Sequence, residues 1–148
     1  MIEKYYKYKM DYHDYIIFIK SGIFYECIAN DALIINIFFK YKIKTIGNTV
    51  KVGFPIKNID YVKEKLKEYD INYLIVDDDK ISDKHEAENN NYSEYKIDMD
   101  SILYNHLRVE KLIKYLSDNV MNRDLIEKLD KIEKELYKKW QYDNCWYT

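Results

Sequence analysis

The sequence predicts an α+β protein: a mixed β-sheet flanked by helices, followed by a C-terminal helical hairpin. Three observations predict it. Two short β-branched apolar runs, YIIFIK (15–20) and INYLIV (71–76), have the length of strands and lack helical spacing. Between them lie segments whose apolar residues recur every three or four positions, alongside one alternating stretch built around a glycine. From Asp100 onward the pattern is wholly helical. A chain of 148 residues makes one domain, or one domain with an appendage. The expected division is an α/β part over 1–97 and a helical hairpin over 98–148.

In chain order, residues 2–11 have helical or extended potential and many tyrosines. YIIFIK reads as a buried strand, Gly22 breaks it, and IFYECI resumes the strand pattern. Asn30-Asp31 can cap a helix that starts ALIINIFFKYK, with Leu33, Ile34, Ile37 and Phe38 at helical spacing. KIKTIGNTVKVGF (42–54) alternates around Gly47-Asn48 as a β-hairpin does, and Pro55 ends it. Asn58 caps a helix whose Ile59, Val62, Leu66 and Tyr69 share one face. INYLIV follows as a strand. Residues 77–91, DDDKISDKHEAENNN, have almost no apolar anchor and read as a polar loop. YSEYKIDM reads as a last edge strand. Ile102, His106, Val109, Ile113 and Leu116 then form one helical stripe, and Leu125, Leu129, Ile132, Leu136 and Trp140 a second. A short connection near 118–122 implies an antiparallel pair, with His106 beside its seam. The same spacing approaches a heptad, so the stripes serve equally as a dimer seam. Trp140, Trp146 and Tyr147 are core plugs or interface anchors.

Composition excludes several classes. Apolar residues make up 47% and charged residues 34%, which suits a globular chain and not wholesale disorder. No apolar run reaches the ~18 residues of a membrane helix, and MIEKYYKYKM lacks the apolar core of a signal peptide. Cys27 and Cys145 have no CxxC spacing and read as reduced thiols, so the expected location is cytoplasmic. With only three glycines, no phosphate-cradling loop can be built, and both GxGxxG and GxxxxGK[ST] are absent. HEAEN (85–89) lacks the second histidine of HExxH, and His13, His85 and His106 are scattered, so no metal or other cofactor is expected. Asp77-Asp78-Asp79 follows a strand, as magnesium-binding carboxylates do, yet a solvated strand end explains it more simply. Neither Glu26 nor any serine has a partner that would make it catalytic. The expected protein is therefore not an enzyme. Its net charge is −2, but nine lysines against five acids make residues 1–57 basic, and the remainder is acidic. A basic N-terminal half can attract phosphates.

The stretch SGIFYECI (21–28) puts Phe24 and Glu26 where neither is obvious core material. From pattern alone, Phe24 is a strand residue and Glu26 an exposed neighbour. The surrounding order adds to this. Gly22-Ile23-Phe24-Tyr25-Glu26 follows an apolar strand, Asp31-Ala32 opens a helix, and Gly53-Phe54-Pro55 closes a hairpin before a further helix and strand. This order, over residues 3–78, resembles the N-terminal mismatch-recognition domain (domain I) of the MutS DNA mismatch repair family. The resemblance implies a non-catalytic domain that binds nucleic acid, double-stranded DNA above all. It also implies two roles: Phe24 as an aromatic wedge at a mispair, and Glu26 as a hydrogen-bonding contact to the base. Lys20, Lys51 and Lys57 are the phosphate candidates beside them, with Lys4, Lys7 and Lys9 further possibilities.

Two residues depart from the family motif. Ile23 stands where the family has aspartate. Lys20 stands where it usually has arginine, which keeps the charge but loses the bidentate fork. The 148 residues also hold no counterpart of the clamp and ATPase domains, which implies weak DNA affinity unless oligomerisation supplies a second grip. The alternative expectation is an accessory module that keeps the fold without binding DNA. Such a module would oligomerise, or dock a nucleic-acid enzyme such as a polymerase, through residues 100–142.

Overall fold

The structure, a computed structural model, describes residues 1–143, with side chains described for all of these except 97, 98 and 139–143. The side chain of Trp140 lies outside the described residues, as do Cys145, Trp146 and Tyr147. Two compact units divide at Leu107/Arg108, ten residues beyond the division expected at 97/98.

The first unit is built on a six-stranded mixed sheet. Its elements are α1 (Ile2–Asp11), β1 (Ile16–Ser21), β2 (Phe24–Ile28), α2 (Ala29–Phe39), β3 (Ile43–Ile46), β4 (Thr49–Pro55), α3 (Ile59–Glu68), β5 (Tyr73–Asp77), β6 (Lys80–His85) and the first part of α4 (Tyr92–Asp118). The strand order is β3-β4-β2-β1-β5-β6. β1 and β5 are parallel, and every other neighbouring pair is antiparallel. The continuous apolar runs of β1 and β5 follow from this placement. Both are central strands covered on both faces, so neither face can be polar.

The two faces carry different cores. On one, Phe18, Tyr25, Val52, Phe54 and Ile75 pack with Leu33 and Ile34 of α2, Val62 and Leu66 of α3, and Tyr92 and Met99 of α4. On the other, Ile17, Ile19, Ile28, Leu74 and Val76 pack under Tyr5 of α1. The second cluster is smaller because the short α1 covers only part of its face.

Four expectations are corrected. The segment 77–91 is not all loop. Asp78 and Asp79, with φ of 48° and 60°, form the two-residue turn of a hairpin, and β6 follows. β6 was hidden because it is an exposed edge strand, where charges blunt the edge and an apolar alternation is not needed. YSEYKIDM is the start of α4 and not a strand. Tyr92, Tyr95 and Met99 recur at helical spacing and face the core. Asn30-Asp31 does not cap α2, which begins at Ala29 after an N-cap Ile28, and Asp31 points inward. Asn58 makes no side-chain cap on α3; its amide donates to the Tyr41 hydroxyl at 3.3 Å.

α4 continues into the second unit. Asn119–Asn122 connect it to α5 (Arg123–Asp143), where the Asn122 side-chain oxygen accepts the Leu125 backbone N–H at 3.1 Å. The outer stripes of these helices are exposed. His106 does not sit at a helix seam. It lies in the first unit, with its Nε2 3.3 Å from Thr45 Oγ1 of β3.

Candidate nucleic-acid interface

β2 changes character along its length. At its far end Cys27 and Ile28 are both buried, because helices cover both faces there. At its near end Tyr25 is buried while Phe24 is 41% exposed. Only the face carrying α2 and α3 is covered at that point. Gly22, at φ 60°, makes the preceding tight turn, a conformation that would strain any side-chain-bearing residue. Ile23 stands 72% exposed at the turn, and its carbonyl accepts the Ile56 N–H at 3.0 Å, which ties the tip to the end of β4.

Strand register decides which residues share the open face. Glu26 lies opposite Gly53, Ile28 opposite Lys51, and Lys51 opposite Lys44. Directly opposed residues project to one side of a sheet, so Phe24, Glu26, Lys44, Lys51 and Gly53 share a face. Gly53 leaves room for the glutamate: a β-carbon there would stand 3.4 Å from Glu26 Cγ. Glu26 is largely covered, and its Oε2 lies 3.5 Å from Lys51 Nζ. Phe24, Glu26, Lys42, Lys44, Lys51 and Gly53 line one recess of about 200 Å³. That is shallower than the ~300–1,000 Å³ of an enclosed small-molecule site. The recess holds three lysines against one carboxylate.

Other expected site residues lie elsewhere. Lys20 is directly opposite Tyr25, so it leaves the sheet on the other face from Phe24. Its Nζ sits 3.2 Å from Asp77 Oδ2, and this pairing raises the Lys20 pKa. Lys57 is exposed in the single 3-10 turn after Pro55, next to the tip but outside the recess. Lys4 pairs with Asp79 at 2.5 Å. With Asp77 and Asp79 each held by a lysine, the three consecutive aspartates do not converge. Among the described residues no cluster of three or more His, Cys, Asp or Glu could hold a metal.

Lys9 is not a surface contact at all. It lies beneath α1 in a buried network centred on Asp31. Asp31 accepts from Tyr5 Oη at 2.6 Å, Tyr92 Oη at 2.7 Å, the Ile17 N–H at 3.1 Å and Lys9 Nζ at 3.0 Å. Burial and the Asp31 charge push both phenols well above their ordinary pKa, and burial lowers that of Lys9. Asp31 therefore joins α1, β1, α2 and α4 and does not face a ligand. Lys42 and Lys44 were missed from the sequence, although the signal was there. Counting outward from Gly47-Asn48 puts Lys44 opposite Lys51.

The first unit is thus an α+β domain that leaves one half-face of its sheet open, with an aromatic at the rim and lysines around it. A family model described as MutS domain I matches residues 1–129. The chain belongs to that family, and carries its mismatch-recognition-like domain. The match begins at Met1, just before α1, and runs past the first unit into α5. A search of the curated proteins returns no match.

Proposed function

We propose that the open half-face of the sheet binds duplex DNA at mispaired, bulged or otherwise weakened steps, without catalysis. Phe24 is the wedge, Glu26 the base contact, and Lys44 and Lys51, with Lys42 beside them, hold the phosphates. The observation that carries this reading is the placement of an exposed Phe24 at the rim of a lysine-lined face.

The chemistry follows from that arrangement. Inserting an aromatic ring between bases costs unstacking of a few kcal/mol, and the cost is least where pairing is already lost. Phe24 recovers part of it by stacking. A lone carboxylate near DNA would be repelled, but Lys51 sits 3.5 Å from Glu26 and offsets its charge. Glu26 can then accept a hydrogen bond from a base N–H that a mispair leaves without its usual partner. Phosphate contacts supply affinity and the wedge supplies discrimination.

The test is fluorescence anisotropy with matched, mispaired and single-base-bulged duplexes at ~50 mM salt, where phosphate contacts are strongest. The unmodified protein is expected to prefer the weakened duplexes, and Phe24→Ala to lose that preference. If Phe24→Ala binds all three duplexes as well as the unmodified protein does, Phe24 is not a wedge.

A further inference from the structure

Beyond Arg108 the chain carries apolar side chains that nothing described covers. On α4, Val109, Leu112 and Ile113 are each more than half exposed. On α5, Ile126, Leu129, Ile132 and Leu136 are between 39% and 63% exposed. Scattered single residues of this kind are ordinary, but continuous stripes are not. Both stripes step by three and four: 109, 113, 116 on α4, and 125, 129, 132, 136 on α5, with Leu116 and Leu125 half-buried and the others exposed. That is the repeat by which helices pack side by side. Six or seven such half-exposed side chains offer on the order of 500 Å² per copy, a large part of the ~800 Å² each partner gives to a standard interface.

Charge indicates the occupant. Along α5 both signs alternate: Glu127, Lys128, Asp130, Lys131, Glu133, Lys134, Glu135 and Lys138. Such a surface neither attracts a polyanion nor repels a copy of itself. Leu129 and Leu136 occupy the first position of the heptad, and Leu125 and Ile132 the fourth. Lys128 and Glu133 then flank the seam. Two parallel α5 helices bring Lys128 of each copy against Glu133 of the other. The antiparallel arrangement would set Ile126 against Glu133 instead. Leucine at the first position with isoleucine at the fourth favours more than two helices, and two copies bring four, α4 and α5 from each.

We infer that the helices after Arg108 are a self-association element, and that their occupant is a second copy of this chain, joined α5 to α5 in parallel with Lys128 facing Glu133 of that copy. This stands apart from DNA binding by the sheet, since it rests on different residues and a different unit.

Sedimentation equilibrium of the full chain at ~50 μM, well above a micromolar Kd, is expected to give a dimer. Leu129→Asp with Ile132→Asp should give a monomer with unchanged circular dichroism, because both positions are already exposed. Lys128→Glu and Glu133→Lys should each weaken the dimer by roughly threefold to tenfold. An equimolar mixture of these two single variants should associate as tightly as the unmodified protein, because every cross pair is then attractive. A monomeric unmodified chain overturns the inference. So does a double Asp variant that stays dimeric, or a mixture no tighter than its components.

Discussion

At the residue scale, the family motif has been divided between two tasks. Phe24 and Glu26 lie on the open face, whereas Asp31, seven residues beyond Phe24, is wholly buried. Asp31, on α2, satisfies four donors from three other elements, so removing it leaves Lys9 as a buried charge without a counter-ion. Asp31→Ala is expected to cost about 3–5 kcal/mol in urea unfolding, the range for breaking a buried pair from one side. Phe24→Ala, at an exposed position, should stay within about 0.5 kcal/mol. The phenols around Asp31 give a pH dependence whose sign can be worked out. Their pKa values are raised in the folded state above the ordinary 10.0. Their contribution is therefore complete below pH 10 and is lost as pH climbs beyond it, because the unfolded chain releases those protons first. Lys9, shifted down, acts in the opposite sense up to its ordinary 10.5. Two phenols outweigh one lysine, so stability should fall above pH 10.5. Tyr15 and Tyr73 are also raised, so Tyr92→Phe should remove about a quarter of the steepness of that fall in thermal melts. An unchanged steepness would show that Tyr92 does not contribute through Asp31.

At the element scale, the site exists because α1 is short. It covers β1, β5 and the far end of β2, and leaves the near end of β2 with β4 and β3 open. The sequence made the strands legible where burial imposes a pattern: YIIFIK and INYLIV as covered strands, and the Gly47-Asn48 hairpin by its alternation. It hid β6, whose charged edge has no apolar requirement, and the start of α4, whose tyrosines fit a strand or a helix equally. Of the residues that line the recess, Phe24, Glu26 and Lys51 were expected together from motif and order. Lys20 was misplaced because proximity in sequence does not say which face a residue takes. Register does, and it puts Lys20 with Tyr25 and Asp77. This separates the lysines experimentally. Lys44→Ala with Lys51→Ala should weaken binding to every duplex and lower the salt slope by about two. Lys20→Ala should change neither, and an equal loss from Lys20→Ala would place the DNA on the other face.

At the scale of the whole molecule, the two units carry different chemistry: an open, lysine-lined sheet face in one and exposed apolar helix stripes in the other. No helix among the described residues is long and apolar enough to cross a membrane, so the stripes are not membrane spans. If two copies associate, each particle presents two sheet faces, and a weak grip is strengthened by effective concentration without any new contact. Dilution below the dimer Kd should then weaken DNA binding while leaving the preference among duplexes intact. The central claim remains the wedge. It is tested most directly by placing 2-aminopurine beside a mispair and following its fluorescence as protein is added. Insertion of Phe24 unstacks the neighbouring base, so the signal should rise with the unmodified protein and stay flat with Phe24→Ala at a concentration where that variant is bound. An equal rise with both proteins, or a flat signal with the unmodified protein bound, would contradict it.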